Sequence, residues 1–415
     1  MTINTASKAN FYAFIPLFLV LIIDAMGVGL VFPVLSPIYM QVEGGILATT
    51  SLESTRNLLY GVTLAGFSFA MFFGAPLLGD LSDQIGRKKV LIICLAGTAI
   101  SFFISALGIH YKSVVLLILG RFIGGFCAGS QPIAQAAITD ISTAKNKALN
   151  LSLISAAFSI GFVIGPVMGG FLSDTTISPW FNYSTPFFVA TVLSLSNAFG
   201  LYFTFKETYH PVNPPAIDFF KGFKLLLSVF ERKDILLLVM VYFISEAAWT
   251  LYFQYMSLYL VHAYQFTAAQ IGQYMSVLGV VFVLNMLVIV PLTIRWIRLE
   301  TAILFGLMLC FVGMLASVFI RSEDMQWILL FPINIGTGLV YTTSLALFSN
   351  AVDKNSQGWI MGVVSAVVSL AWFITGMVIG PLASIHIITP FIVASVLLLA
   401  SVIGMWIYIQ QHSSK

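Results

Sequence analysis

Residues 79 to 91 read Gly79-Asp80-Leu81-Ser82-Asp83-Gln84-Ile85-Gly86-Arg87-Lys88-Lys89-Val90-Leu91, a charged stretch between two strongly apolar runs. Five of the ten residues from Asp80 to Lys89 are charged, in a chain with only 8% charged residues overall. Because charged side chains are costly in hydrocarbon, this stretch is expected to form a short loop at a membrane surface. Three of the five charges are cationic, which indicates the cytoplasmic side.

The composition of the whole chain indicates the same environment. Of its 415 residues, 59% are hydrophobic, and its mean hydropathy is +0.99. Soluble globular domains contain roughly half apolar residues or fewer. The net charge is only +3, so no basic patch indicates a nucleic-acid partner. The fold class predicted is therefore all-α, a polytopic membrane protein in the lipid bilayer.

Twelve apolar runs are long enough to cross a bilayer, since a spanning helix needs about 20 residues. We number them spans 1 to 12, at residues 11–37, 58–78, 90–109, 114–139, 150–173, 186–205, 235–261, 271–294, 301–320, 326–350, 358–384 and 389–410. They form two sets of six. We predict an N-terminal six-helix bundle at 1–205 and a C-terminal six-helix bundle at 235–415.

The longest loop, 206–234, separates the two sets. It contains Pro211, Pro214 and Pro215 and most of the mixed charge. Its second part, 217–230, combines aromatic and apolar residues with lysines, a composition typical of a helix lying on a membrane surface. We predict a cytoplasmic linker with an interfacial helix.

The lysines and arginines of the loops predict the orientation. Fifteen lie in the tails and even-numbered loops, whereas the odd-numbered loops contain three, Arg56, Lys112 and Arg321. Because cytoplasmic loops carry the excess of positive charge, both termini are predicted to be cytoplasmic. Span 1 is interpreted as a retained helix and not a secretory signal, because its apolar run is too long and contains Asp24.

The two sets of spans also contain a similar six-residue motif. Gly161-Phe162-Val163-Ile164-Gly165-Pro166 in span 5 recurs as Gly376-Met377-Val378-Ile379-Gly380-Pro381 in span 11. Ile23-Asp24-Ala25 in span 1 pairs in the same way with Ser245-Glu246-Ala247 in span 7. This spacing predicts two pseudo-symmetric halves related by an axis along the membrane normal, although short apolar words can also match by chance.

Two carboxylates lie deep in apolar spans, Asp24 in span 1 and Glu246 in span 7. A carboxylate at this depth costs roughly 2.5 to 3.5 kcal/mol, so something must offset its charge. Asp24 either forms a static ion pair with Arg121, the one cation inside a span, or carries protons or binds substrate in a water-filled cavity. Glu246 either faces the same central cavity or reaches the interface or a backbone group.

Other polar and aromatic residues are candidates for the lining of that cavity. Gln131 and Gln135 lie four residues apart in span 4 and share a helix face, although hydrogen bonding between helices is an equal alternative. Trp249 and Tyr252 follow Glu246 in span 7, with packing or lipid contact as the alternative, and Asn285 is the central polar residue of span 8.

The stretch from 79 to 91 resembles the loop between spans 2 and 3 of the major facilitator superfamily. The resemblance implies that the glycines allow a tight turn, that Asp83 pairs across the two halves, and that Arg87 joins a charge cluster holding an inner gate shut. Asp140, at the end of span 4, is expected to join Arg87, with a solvated helix-end acid as the alternative. The implied gate comprises Gly79, Asp83, Gly86, Arg87, Lys88 and Asp140.

Two further motifs resemble the same superfamily. Leu119-Gly120-Arg121-Phe122-Ile123-Gly124-Gly125 in span 4 is similar to a signature in which the arginine points into the cavity near the acid of span 1. Span 5 resembles the motif that marks the drug:proton antiporter branch, which implies an outer-gate role and favours export. The residues of that motif are Gly161, Gly165, Pro166, Gly169 and Gly170.

Span 1 extends the resemblance. Asp24-Ala25-Met26-Gly27-Val28-Gly29-Leu30, followed by Phe32-Pro33-Val34-Leu35, is similar to the opening helix of tetracycline-type, twelve-helix drug:proton antiporters. That family has a further acid in span 9 and a histidine in span 8, whereas here span 9 is uncharged and span 8 offers Asn285. This departure argues against tetracycline as the substrate and leaves a coupling role to Glu246.

The sequence therefore predicts a bacterial-type inner-membrane transporter that exports a small amphipathic or apolar compound by proton antiport and alternating access. A proton-coupled symporter that imports a nutrient or metabolite is the alternative, followed by a receptor or channel. Cys94, Cys127 and Cys310 are isolated, and no metal-ligand spacing or catalytic motif is found, so we expect no enzyme, metal or cofactor. The expected partners are a small-molecule substrate, protons and the bilayer, and the expected assembly is a monomer.

Overall fold

The computed structural model describes residues 5–142, 146–209, 217–320, 322–353 and 356–412, and these residues form helices and no strand. Twelve segments among them are helical, long and apolar enough to cross a membrane, which confirms the predicted all-α, twelve-span architecture. The helices are α1 (Thr5–Gly29), α2 (Val31–Met40), α3 (Glu53–Ile85), α4 (Arg87–His110), α5 (Val114–Cys127), α6 (Ser130–Asp140), α7 (Lys147–Phe171), α8 (Thr185–Thr204), α9 (Lys221–Ser228), α10 (Lys233–Tyr264), α11 (Ala268–Leu284), α12 (Val290–Trp296), α13 (Leu299–Phe319), α14 (Glu323–Asn350), α15 (Gln357–Ile385) and α16 (Thr389–His412).

Three spans are interrupted helices. Span 1 consists of α1 and α2, span 4 of α5 and α6, and span 8 of α11, a π-helical turn at Asn285–Ile289 and α12. Each interruption lies within about one turn before a proline, and the three prolines are Pro33, Pro132 and Pro291. Proline has no backbone N–H group, so it cannot donate the helical hydrogen bond at its position. In span 4, Pro132 leaves the carbonyl group of Ala128 without its helical partner, and α5 ends at Cys127.

Span 2 is longer at both ends than its apolar run. α3 has 33 residues and continues through Gly79 to Ile85, so most of the predicted surface loop is helical. The turn is confined to Gly86, whose φ of 101° suits glycine, and α4 begins at the next residue. At the other end, Arg56 lies in the first turn of α3 with a buried side chain and not in a loop.

The first of two compact units comprises residues 1–49, 66–221 and 267–276. In this unit α7 packs along α1, and the glycines of span 5 make the approach possible. A Cβ atom on these glycines would lie 2.2 to 2.5 Å from backbone oxygens of span 1: Gly161 from Ile22, Gly165 from Met26 and Gly169 from Leu30. Any larger residue at these positions would push the two helices apart.

The second unit comprises residues 50–65, 222–266 and 277–415. Here α10 packs against α15 and α16, and α13 packs against α14 and α16. A Cβ atom on Gly376 would lie 2.9 Å from the backbone nitrogen of Ala65, and one on Gly380 would lie 2.6 Å from the carbonyl oxygen of Asn57. The repeated glycine motif therefore allows close helix packing in both spans. The copy in span 5 packs against span 1, and the copy in span 11 packs against span 2.

The linker is described on either side of 210–216, the part that includes its three prolines and lies outside the described residues. Its second part forms α9 and a 3-10 turn at Val229–Glu231, shorter than the helix predicted at 217–230. Phe220, Phe223 and Phe230 are exposed there, as the predicted membrane contact would require. Within the linker, the chain passes from the first unit to the second between Lys221 and Gly222, at the start of α9.

Candidate functional site

Asp24 accepts a hydrogen bond at the interruption of span 4. The donor is Ser130, whose Oγ lies 2.7 Å from Asp24 Oδ2. Ser130 is the first residue of α6, so the carboxylate lies at the N-terminal end of a half-helix, where free backbone N–H groups favour negative charge. Asp24 is only partly buried. This arrangement can hold an ionised carboxylate without a cation beside it.

Arg121 does not form an ion pair with Asp24. Its side chain is 5% exposed, and its guanidinium group lies over the ring of Phe67, 4.3 Å from the ring centroid. Among the residues that the structure describes, no carboxylate pairs with it, and Nε has no hydrogen-bond partner. The static ion pair considered from the sequence is therefore not formed, and the charge of Arg121 is buried without a counterion.

Gln131 and Gln135 follow Ser130 on α6. Both are partly exposed, and the carbonyl oxygen of Gln135 accepts a hydrogen bond from Thr139 Oγ1 at 2.7 Å. Within the described ranges, neither side-chain amide has a hydrogen-bond partner. Both amides thus remain available for a ligand, as the cavity role predicted for them would require.

Glu246 points into the interior of the second unit. It is 7% exposed, and Tyr242, one turn earlier, places its hydroxyl group beside the carboxyl group without a well-formed hydrogen bond. A narrow cleft begins at this side chain and has room for about one water molecule. The cleft is lined by Ser245, Glu246, Trp249, Leu307, Cys310, Met314, Thr337, Val340 and Leu398.

The other residues predicted near Glu246 have different surroundings. Trp249 lines the cleft and stacks on Tyr252 with a centroid distance of 6.2 Å, and Tyr252 is buried. Asn285 is fully buried, and its Nδ2 donates to the carbonyl oxygens of Asn334 at 2.8 Å and Ile335 at 3.1 Å. Asn285 therefore ties span 8 to span 10 and does not line the cleft.

Arg87 is the centre of a charge cluster at the start of span 3. Its Nη1 lies 2.6 Å from Asp83 Oδ1 and donates to Ser82 Oγ at 2.6 Å, and its Nε lies 3.5 Å from Asp140 Oδ2. Three predicted gate residues are thus brought together. Gly79 lies inside α3 with open space around it, and Lys88 Nζ donates to the carbonyl oxygen of Tyr202 at 2.7 Å.

The same cluster contains an acid that the sequence analysis missed. Glu207 follows span 6 and accepts hydrogen bonds from the backbone nitrogens of Arg87 at 2.9 Å and Lys88 at 3.1 Å, so it caps α4. A Cβ atom on Gly86 would lie in contact with its carboxylate, closer than any side chain allows. In the sequence, Glu207 is recognisable only as an acidic residue just after span 6. Its neighbours in the sequence do not indicate that it binds the start of α4, about 120 residues earlier.

A second unpredicted ion pair joins span 2 to the linker. Asp80 Oδ1 lies 2.5 Å from Lys221 Nζ, and the Asp80 side chain is 3% exposed. Phe73, two turns before Asp80, stacks on Phe219 with a centroid distance of 5.0 Å and an interplanar angle of 15°. One ion pair and one aromatic stack therefore fasten the beginning of α9 to α3.

The C-terminal part of the span 5 motif contacts the start of span 8 within the first unit. A Cβ atom on Gly170 would lie 2.6 Å from the carbonyl oxygen of Ala268, and one on Gly272 would lie 2.5 Å from the carbonyl oxygen of Pro166. The backbones of α7 and α11 are thus in contact, with Gly170 of α7 and Gly272 of α11 at the contact. A motif of small residues allows this approach, which any side chain would prevent.

In the part of the chain that the structure describes, no group of three or more His, Cys, Asp or Glu residues could hold a metal ion. Cys94, Cys127 and Cys310 are free thiols. Cys94 and Cys310 are buried, and Cys310 lines the cleft beside Glu246.

Comparison with known proteins gives a family and several relatives. A family model described as Major Facilitator Superfamily matches residues 17–376. The chain is 28% identical over 386 residues to the tetracycline resistance protein, class H, of Pasteurella multocida, covering 88% of this chain and 86% of that protein. It is 27% identical over 419 residues to the quinolone resistance protein NorA of Staphylococcus aureus, covering 99% and 98%. Among solved structures, the human organic anion transporter MFSD10 is similar with a TM-score of 0.69 and 21% identity, over 95% of this chain and 99% of that one.

Proposed function

Because this chain belongs to the Major Facilitator Superfamily, we propose that it exports a small amphipathic or apolar compound from the cytoplasm in exchange for protons. Membership makes it a multi-pass membrane transporter and not an enzyme. The direction of transport, the coupling ion and the substrate class are the proposal. The names of two relatives, a tetracycline resistance protein and a quinolone resistance protein, support export of a drug-like compound.

The observation that carries proton coupling is the hydrogen bond between Asp24 and Ser130. The bond, at 2.7 Å, holds the carboxylate at the N-terminal end of α6, and Asp24 is only partly buried there. A carboxylate that is held by a hydroxyl group, with no permanent cation, can take up a proton without leaving a buried charge unpaired. Arg121 cannot supply such a cation, because it does not pair with Asp24.

Glu246 is proposed as a second proton carrier, located in the C-terminal set of spans. The cleft beside it has room for about one water molecule, which could pass a proton to the carboxylate. Tyr242 and Ser245 provide hydroxyl groups nearby. In this scheme protonation of the two acids permits the change between outward and inward access, and substrate from the cytoplasm then displaces the protons.

The charge cluster at Arg87 is proposed to stabilise the state that is closed to the cytoplasm. Asp83 and Asp140 both pair with Arg87, and Glu207 holds the first turn of α4 in place. The positive charge of this region also supports an orientation with both termini in the cytoplasm of a bacterial inner membrane. Breaking these contacts would open the cytoplasmic side.

Transport by purified protein in liposomes tests this function. The protein is reconstituted with a pH gradient, and accumulation is measured for tetracycline, a fluoroquinolone and a panel of lipophilic dyes. Asp24→Asn is expected to abolish accumulation driven by the pH gradient, while the variant remains folded by size-exclusion chromatography. Asp174→Asn, which changes an exposed acid in a loop, is the matched control and is expected to transport normally.

Two results would contradict the proposal. Unchanged gradient-driven transport by Asp24→Asn would remove this residue from coupling. Substrate movement in the same direction as the protons would identify a symporter, the alternative considered from the sequence.

A further inference from the structure

Span 8 is interrupted by the π-helical turn at Asn285–Ile289, between α11 and α12. The backbone N–H group of Val290 donates to the carbonyl oxygen of Asn285, five residues earlier, and the next residue, Pro291, has no N–H group to donate. Such turns are rare and are frequently found at functional sites. Because hydrocarbon offers no hydrogen bonds, other groups of the protein or ordered water must stabilise the turn.

Asn285, the first residue of the turn, presents an oxygen atom without a donor. Its side chain is fully buried, and its Nδ2 donates to the carbonyl oxygens of Asn334 at 2.8 Å and Ile335 at 3.1 Å. These two bonds determine the orientation of the amide, since a flipped amide would place its oxygen against two other oxygens. Among the residues that the structure describes, no group then donates to Asn285 Oδ1.

Asn334 presents a second oxygen of this kind, in span 10. Its side chain is 1% exposed, and its Nδ2 donates to the carbonyl oxygen of Leu330 in its own helix at 3.2 Å. Within the described ranges, its Oδ1 also has no donor. The two helices meet closely here, because a Cβ atom on Gly338, one turn after Asn334, would overlap Asn285 Nδ2. Two buried amide oxygens therefore lie beside the same turn of span 10, each at a cost unless a donor binds.

We propose that Asn285 and Asn334 form a buried binding site for ordered water between spans 8 and 10. Both atoms are acceptors, and a water molecule has two hydrogens, so one molecule can donate to each of them. Water at this place also gives the carbonyl groups of the π-turn a donor that hydrocarbon cannot supply. The site goes beyond the proposed function, because it depends on neither the coupling ion nor the substrate.

The direction of a stability change tests the site. Asn334→Leu removes one acceptor and fills the place of the water, so the melting temperature in detergent is expected to fall by at least about 2 °C. Without bound water, the same substitution only removes a costly unpaired acceptor, and the protein would melt at the same or a higher temperature. Thr343→Val is the matched control in span 10, since the buried Thr343 hydroxyl group donates to Leu339 of its own helix, and it is expected to melt as wild type.

Radiolytic labelling detects the water itself, which a purely structural role for Asn334 would not reveal. X-rays generate hydroxyl radicals from water, and Met286, the second residue of the π-turn, has an oxidisable side chain. In lipid nanodiscs, Met286 is expected to be oxidised several times faster in wild-type protein than in Asn334→Leu. Met308, which is 46% exposed in the middle of the uncharged span 9, is the control and should be oxidised slowly in both proteins.

The proposal is overturned if Asn334→Leu melts at or above the wild-type temperature. It is also overturned if Met286 is oxidised equally fast in the two proteins. If Asn334→Leu does not fold, wild-type protein alone decides, because oxidation of Met286 as slow as that of Met308 would exclude water at the turn.

Discussion

At the level of single residues, the contact between Asp24 and Ser130 connects the proposed proton carrier with the interruption of span 4. The hydroxyl group of Ser130 donates to the carboxylate at 2.7 Å and thereby favours its charged form. When Asp24 takes up a proton, its carbonyl oxygen can still accept from Ser130, but the bond no longer involves a charged acceptor. Protonation therefore weakens the hydrogen bond that holds span 1 to the start of α6.

Removal of the hydroxyl group is expected to change the pH profile of transport. Ser130→Ala loses a hydrogen bond to a charged group, worth about 1.5 to 3 kcal/mol, so the proton binds more tightly to Asp24. The pH of half-maximal proton release should therefore move upward by one unit or more, while Ser130→Thr keeps the wild-type profile. Substrate-induced proton release is measured with a pH indicator dye. A serine with a purely structural role would lower the amount of folded protein and leave the profile where it is.

Glu207 gives a second prediction for one residue. Its carboxylate accepts from the first two backbone nitrogens of α4, at 2.9 and 3.1 Å, where a negative charge is most favourable. Glu207→Gln keeps the shape and loses the charge, so we expect the free energy of unfolding to fall by about 1 kcal/mol. Thermal melts in detergent measure the change. Glu43→Gln, at an exposed acid, is the control, and equal melting of both variants would contradict the capping role.

The sequence could identify the charged residues of the site but not their partners. Asp24 and Arg121 both stood out because charge inside an apolar span is rare. Whether they pair, one of the two alternatives left open, depends on how α1 and α5 are rotated about their axes, which hydropathy does not determine. The true partner, Ser130, is an ordinary residue in sequence, and its position depends on the interruption that Pro132 causes.

At the level of secondary structure, the beginning of α9 is fastened to α3 by Asp80 and Lys221. The Asp80 side chain is 3% exposed, whereas that of Lys221 is 45% exposed. Loss of the lysine would leave a buried carboxylate without a partner, which costs more than loss of the whole pair. The linker therefore depends on this ion pair for its position on span 2.

A double-mutant cycle measures that dependence. Lys221→Met is expected to lower the free energy of unfolding by about 1 to 3 kcal/mol, because solvent at the exposed lysine reduces the full cost of an unpaired acid. Asp80→Asn combined with Lys221→Met should be more stable than Lys221→Met alone. Chemical denaturation in mixed micelles provides the stabilities, and Lys206→Met, at an exposed lysine of the same linker, is the control. Additive effects of the two substitutions would mean that the ion pair contributes nothing.

Hydropathy predicted the number of membrane spans, but it did not predict where the helices end or where they are interrupted. All twelve spans were predicted, since a bilayer imposes a minimum length on every apolar run. The stretch from 79 to 91 was predicted as a loop because it is charged, yet α3 continues to Ile85. A helix can leave the membrane without ending, so charge locates the surface and only Gly86, with its positive φ, locates the turn.

For the whole molecule, the two acids lie in different units. Asp24 belongs to the first unit and Glu246 to the second. Asp24 is partly exposed, and Glu246 lines a cleft with room for about one water molecule. If both take part in transport, each unit carries a proton of its own. The number of protons exchanged per substrate then reports on both units together.

Counting protons tests this division. We expect substrate to release two protons per molecule of wild-type protein, one from Asp24→Asn, one from Glu246→Gln and none from the double variant. Release is measured in weakly buffered detergent solution between pH 5 and 8, because a proton is displaced only where the acid is still protonated before substrate binds. Release of one proton by wild-type protein, unchanged in Glu246→Gln, would assign coupling to Asp24 alone. The water-sized cleft beside Glu246 would then be a feature of the packing among spans 7, 9, 10 and 12 without a part in proton exchange.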